Sequence, residues 1–182
     1  MQRTLTAAAV AASALLAACA GLSPATPPFS QDGLPAAVQV PAGQKVALET
    51  VGVGQITYEC RAKANAAGQY EWAFVGPKAE LRSRQGTKLG SYYGPPATWE
   101  ANDGSKVTGA QLAVAPAMAG SIPLQLVKAN PATGSGAMSG VTYIQRVATR
   151  GGVAPASACD AAAQGRQEVV QYQADYILWK AS

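Results

Sequence analysis

Histidine does not occur anywhere in the 182 residues. Its absence removes Ser-His-Asp and Cys-His triads, imidazole-bound zinc or copper, and proton transfer by a side chain titrating near neutrality. Cysteine is nearly as scarce: Cys19, Cys60 and Cys159 are the full set, too few without histidine for the four ligands of a structural zinc. Charge is sparse as well, with 14 basic against 10 acidic side chains. No run of Lys or Arg is interleaved with aromatics in the manner of a nucleic-acid groove, and no Walker or dinucleotide glycine pattern appears. The sequence therefore assigns no catalytic residue, no metal, no cofactor and no nucleic-acid partner. Any catalysis has to rest on carboxylates, Tyr, Lys or Arg.

Long apolar runs are missing too, since none reaches the roughly 20 residues of a bilayer-spanning helix. The longest, Leu5–Leu16, follows Arg3 and precedes Ala17-Ala18, which are the three parts of an export signal. Leu16-Ala17-Ala18-Cys19 resembles the lipobox of bacterial lipoproteins, in which the cysteine thiol takes a diacylglycerol and cleavage before it frees an amine for acylation. On this reading residues 1–18 are signal, 164 of the 182 residues remain, and Cys19 is the lipidation site. An ordinary secretory signal ending near a cysteine is the alternative. Ala20-Gly21 follow the cysteine with no aspartate, which resembles signals sorted to the outer rather than the inner membrane. The expected address is the envelope, facing the periplasm, with a membrane reached through the N-terminal lipid as partner. Residues 19–40, rich in Pro and Ala, read as a tether holding one domain, residues 41–182, off the surface.

From Gln44 onward short apolar segments of period two alternate with Gly, Pro and Asn-Asp turns, the pattern of a mainly β, antiparallel sandwich or barrel. In Gln55–Arg61 the alternation places Ile56, Tyr58 and Cys60 on one face. Strands are expected at Tyr70–Val75, ended by Gly76-Pro77, and at Lys106–Val114, Ile122–Lys128 and Val141–Thr149. The last, Val169–Lys180, sets Val170, Tyr172, Ala174, Tyr176 and Leu178 against Gln171, Gln173 and Asp175, while Ile177 and Trp179 break the polar side, so that both faces of its end are expected to be covered. Ala156–Gln164 reads as one short helix near that strand, capped by Ser157 and ended by Gly165.

With Cys19 committed to lipid, Cys60 and Cys159 form an even pair in a chain that leaves the reducing cytoplasm, and a disulfide between them is the expectation, with two separate buried thiols as the alternative.

An ordered set of short motifs runs through the domain: Pro41-Ala42-Gly43, Gln55–Cys60, Gly94–Trp99, Asp103-Gly104-Ser105-Lys106-Val107, Val141–Val147, Arg150–Pro155, Cys159-Asp160, and Tyr172 with Ala174-Asp175-Tyr176. Together they resemble the bacterial and fungal family known as domain of unknown function 3455. The resemblance implies a single β-rich secreted or envelope domain with the same cysteine pair, and it implies no activity. The chain departs from the family pattern at Ser91-Tyr92-Tyr93, where the family has a histidine before the Gly-Pro motif.

Three groups of residues are candidates for a site. Arg146 and Arg150 precede Gly151-Gly152 and are able to present two guanidinium groups to a carboxylate or phosphate, or else to pair with Asp160 or Asp175 and fix a loop. Tyr92, Tyr93 and Trp99 surround Gly94-Pro95-Pro96 in a stretch that reads as a loop, either as a stacking surface for a planar ligand or as a plug for one end of the β-structure. Asp103 belongs to the Asn-Asp-Gly-Ser turn. With Glu59, Glu71, Glu80 and Glu100 it is the material for a paired-carboxylate hydrolase, which needs one carboxyl with a raised pKa, Asp103 or Glu100 beside Trp99 being best placed. The favoured reading is a lipid-anchored module that binds a small-molecule or envelope ligand, or serves a structural role, with Tyr92, Trp99, Asp103, Arg146 and Arg150 as binding candidates. The alternative is a histidine-free, glycosidase-like hydrolase.

Overall fold

The computed structural model describes residues 27–182, so the signal at 1–18 and Cys19 lie outside the described residues. Eight antiparallel strands follow one another around a closed barrel: β1 (Gln44–Ala62), β2 (Tyr70–Arg82), β3 (Lys88–Tyr93), β4 (Thr98–Ala101), β5 (Lys106–Ala115), β6 (Leu124–Ala129), β7 (Val141–Gly151) and β8 (Gln167–Ala181). The pairing of β8 with β1, from Gln44 opposite Ala181 to Glu59 opposite Gln167, closes the ring and leaves no free sheet edge. Between sandwich and barrel, the chain forms the barrel.

Eight strands enclose a space just wide enough for side chains to fill. The inward positions do so: Leu81, Trp99, Val107, Ile144, Tyr176 and Leu178 are all buried in one core. Gly52 shows how tight the fit is, because a Cβ there would come within 2.5 Å of the Tyr176 ring. The alternation read for β8 holds, and Cys60 points inward beside Ile56 and Tyr58 as expected.

Ile177 and Trp179 face outward yet are buried, and the chain before β1 explains why. Residues 29–40 are not tether but a strap across the outside of the barrel, with Val38 fully buried and Phe29, Leu34 and Val40 packed with Ile177, Trp179, Leu126 and Val147 in a second core. Gln145 anchors it. Its amide donates to the carbonyl of Val38 (2.7 Å) and to Oε1 of Gln31 (2.9 Å), and its own oxygen accepts from Trp179 Nε1 (2.9 Å). The expected tether thus includes an apolar segment that the strands' outer face needs.

Three further expectations are corrected. Ala156–Gln164 is not a helix but an irregular segment with a single 3₁₀ turn, Ala161–Ala163, capped by Asp160 rather than Ser157. Nine residues give too few hydrogen bonds to offset helix nucleation, and the hydroxyl of Ser157 instead donates to Glu168 (2.7 Å). Gly76-Pro77 does not end β2, which continues to Arg82. Pro77 is opposite Ile56 of β1, and pairing of β2 with β3 begins only at Lys78, so the missing N–H leaves no gap in that ladder. The Tyr92–Trp99 stretch is not a loop but the hairpin β3–β4, turned through Gly94-Pro95-Pro96 with both X-Pro bonds cis.

The cysteine pair is a disulfide, Cys60–Cys159, with Cα atoms 5.5 Å apart. It holds residues 152–166 over one side of the barrel end at which β1 finishes and β8 begins, where Cys60 also exchanges backbone hydrogen bonds with Gly165 and Arg166 (2.9 Å each).

Candidate functional site

The barrel has two unlike ends. One is closed by residues 130–140, which fold back onto the β4–β5 turn. Asp103 Oδ1 accepts from the Ser105 hydroxyl (2.5 Å) and backbone N–H (2.9 Å), Oδ2 accepts from Ala137 N–H (2.7 Å), and the Ser105 hydroxyl accepts from Met138 N–H (3.1 Å). This frame drops the Met138 side chain into the barrel, where it is 1% exposed. Gly136 has to be glycine, since a Cβ would lie 2.2 Å from the Asp103 carboxylate. The hydrogen bond from the Ser105 hydroxyl, followed by that from Ala137, holds the Asp103 carboxyl below the usual range. It is therefore not the proton-retaining acid that a carboxylate hydrolase requires, and its oxygens are taken up by the turn that closes the barrel.

The opposite end keeps an opening. Gly94-Pro95, Pro77, Phe74, Gln111, Gln125 and Arg146 surround a cavity of about 320 Å³ with Tyr92 and Trp99 in its wall. Three of the five residues singled out in the sequence thus converge here: Tyr92, Trp99 and Arg146. Strand pairing sets Arg146 opposite Gln125 on one side and Tyr176 on the other, on the inner face. Its charge reaches the interior, lowering the pKa values of Tyr58, Tyr92, Tyr172 and Tyr176, which burial raises more strongly. The guanidinium donates from Nε (3.1 Å) and Nη2 (3.0 Å) to the Pro123 carbonyl and has no ion pair among the described residues. The expected acidic partners are engaged elsewhere, Asp175 with Arg84 (3.1 Å) and Asp160 with the backbone of Ala162 and Ala163.

Arg150 does not join the site. An extra residue in β7 between Val147 and Arg150, with Ala148 at φ +48°, turns Arg150 outward opposite Gln173. Trp99 is both wall and plug: it is fully buried, stacked on Tyr92 (centroids 4.7 Å) and edge-on to Tyr176 (5.9 Å), and its Nε1 has no hydrogen-bond partner. Sequence reasoning passed over Phe74, Gln111 and Gln125. Phe74 lies across from Tyr58 with ring centroids 6.1 Å apart and is 55% exposed, an unusual state for a phenylalanine facing inward. The signal available for it was the inward parity it shares with Trp72. Gln125 donates to Gln111 (2.6 Å) across the β5–β6 pair.

A larger groove of about 770 Å³ crosses the outer face of β1–β4 and contains Glu80, Ser91 and Glu100, one from each of three neighbouring strands. Its charges are already matched. Glu80 pairs with Arg82 and with Lys88 (3.5 Å), and the Arg82 hydrogen bond holds its carboxyl low; Glu100 accepts from Tyr93 (2.6 Å) and lies 3.7 Å from Lys106. Neither acid is an isolated apolar carboxyl of the kind acid catalysis needs. Glu59, paired with Arg61, and Glu71 take no part in either cavity. Among the described residues no three Asp, Glu or Cys side chains gather as a metal ion would need.

A family model described as "Protein of unknown function (DUF3455)" matches residues 41–180, which takes in all eight strands up to the penultimate residue of β8 and begins after the strap. No curated protein and no solved structure matches the chain.

Proposed function

The chain belongs to this DUF3455 family, and we propose that it is an exported lipoprotein, anchored on a membrane through Cys19, that binds a small anionic ligand in the open end of its barrel. The observation that carries the binding reading is Arg146: an inward-facing guanidinium without a carboxylate partner, at the rim of a cavity whose walls are aromatic and amide side chains. A buried or half-buried cation is ordinarily paired, and an unpaired one facing a concave, largely apolar pocket is what an anion site requires. The hydrolase alternative lacks such an observation, because the Asp103 carboxyl is held low by its own turn and Glu100 is already bonded to Tyr93 and near Lys106.

The lipobox supports the anchor, and the disulfide fits an oxidising compartment. Pro27 and Pro28 lie beside Glu49 and the Ser83–Gln85 turn, at the closed end of the barrel. Replacing Cys19 with Ser is expected to release the protein into the soluble exported fraction and to abolish labelling by a fatty-acid analogue; retention on the membrane would refute the anchor. With the Cys19→Ser chain, calorimetric titration of small carboxylates tests the site. Arg146→Ala is expected to weaken binding by about 1.5–3 kcal/mol, the range for a charged hydrogen bond, with the unfolding midpoint little changed. Binding that is indifferent to Arg146 excludes this cavity.

A further inference from the structure

The shape and chemistry of the opening say more about its ligand, provided the anion site just proposed exists. We infer that the ligand is a short aromatic monocarboxylate, its carboxylate on Arg146 and its ring against Phe74.

Charge comes first. Arg146 is the single charged residue lining the cavity, and Arg150 is turned to the outside. One cation matches one negative charge, whereas a phosphate dianion calls for more. The geometry of the guanidinium narrows this further. Its Nε and Nη2 atoms are committed on one edge to the Pro123 carbonyl, which leaves the Nη1–Nη2 edge as a planar two-pronged donor. A carboxylate accepts two parallel bonds from such an edge. The fixed Pro123 contact also orients the fork before any ligand arrives, so little side-chain freedom is lost on binding.

The walls select for a flat ring. Phe74, in edge contact with Tyr58, leaves much of its ring exposed at the cavity, while Tyr92, packed against Trp99 and Tyr176, forms the buried aromatic backing behind it. Aromatic pairs in such settings add to the effect of burial alone. Elsewhere in the lining, on β5 and β6, the Gln125–Gln111 bond leaves one amide oxygen and one amide NH₂ unused, an acceptor and a donor for a ring hydroxyl.

Depth excludes a long chain. Immediately below the opening Trp99 and Tyr176 are fully buried, and Ile144 and Leu178 fill the barrel beneath them. A cavity of about 320 Å³ lies at the lower bound for small-molecule sites, and an acyl chain would have to extend back into water.

The test uses the full chain carrying Cys19→Ser, titrated calorimetrically with 4-hydroxybenzoate, hexanoate, hexadecanoate and phenyl phosphate. The expected result is 4-hydroxybenzoate binding about tenfold or more tighter than the other three, a difference within the reach of one well-packed ring. Phe74→Ala is expected to remove that preference, while Arg146→Ala weakens every carboxylate by about tenfold to a hundredfold. Hexanoate, hexadecanoate or phenyl phosphate binding as tightly as 4-hydroxybenzoate, yet still lost in Arg146→Ala, overturns the ligand class and leaves the anion site standing. Failure of all four probes to bind, or binding that Arg146→Ala does not change, overturns the site itself.

Discussion

At the closed end of the barrel every polar group that enters is used up: the Asp103 carboxylate takes three hydrogen bonds from Ser105 and Ala137, Ser105 takes one from Met138, and the methionine fills the space behind them. At the open end the accounts do not balance. Arg146 has no acid, half of the Gln111–Gln125 amide capacity is idle, and Phe74 stands in water. The same barrel thus carries one end whose chemistry is complete without a partner and one whose chemistry is not. Asp103 and Arg146 are equally polar, but only the second retains unmet bonding capacity at a cavity. Unfilled capacity, more than polarity, separates a binding residue from a structural one.

The sharpest way to break this contrast is to loosen the open end. The disulfide closes a loop of 99 residues, for which loop-closure entropy gives about 4–5 kcal/mol as an upper figure. Cys60→Ser with Cys159→Ser is expected to lower stability by an amount approaching that and to release residues 152–166 from the rim. Urea unfolding with and without the bridge measures the first effect. Hydrogen exchange at the amides of Gly165 and of residue 60, which donate to the carbonyls of Cys60 and Arg166 respectively, reports the second. Protection there unchanged by the double substitution means that packing, not the bridge, shapes the rim.

The next effect belongs to the closed end. Met138→Ala empties a fully enclosed position and is expected to cost roughly 2–4 kcal/mol, the range for large-to-small changes in a core. Affinity for whatever the opening binds should stay the same, because Trp99 and Tyr176 lie between the two ends. A parallel loss of affinity would show that the ends are mechanically coupled and that the contrast drawn above is too clean.

How much of this was legible in the chain depended on whether period two survived locally. In β8 it ran unbroken from Val170 to Leu178, and the interior face could be read directly. The departure at Ile177 and Trp179 signalled a second covered face, but its cover was the strap, whose Phe29, Leu34, Val38 and Val40 are scattered among prolines and carry no period. Strands β3 and β4 were hidden because they are six and four residues long and joined through two prolines, which read as a loop. The pairing of Arg146 with Arg150 failed for a definite reason. They are four residues apart and share a face in a regular strand, and the extra residue near Ala148 reverses the second. Bulges of this kind leave no dependable mark in a single sequence. Tyr92, Trp99 and Arg146 were recognisable as candidates from residue type alone. That they meet at one opening follows from barrel closure, which brings β3, β4 and β7 around one space.

The smallest expected effect is the most discriminating for Asp103, the residue on which binding and structural readings disagreed. Asp103→Asn retains the shape and one oxygen, so the bonds from Ser105 persist, but an amide NH₂ now faces the Ala137 N–H and that bond is lost. At neutral pH the variant should unfold at slightly lower urea concentration than the parent. The pH dependence carries the test. Because the folded protein holds this carboxyl below its ordinary value, its contribution is fully present above the unfolded-state pKa and disappears as pH falls through the lower folded one. The gap between the two proteins should therefore close in acid, from about pH 4 downward. Every other carboxylate, including the low-lying Glu59 and Glu80, titrates in both chains and cancels from the difference. A gap that stays constant through this range means that the carboxylate's charge contributes nothing to closing the barrel. A loss of ligand affinity at neutral pH would move Asp103 from the closed end's frame into the binding site.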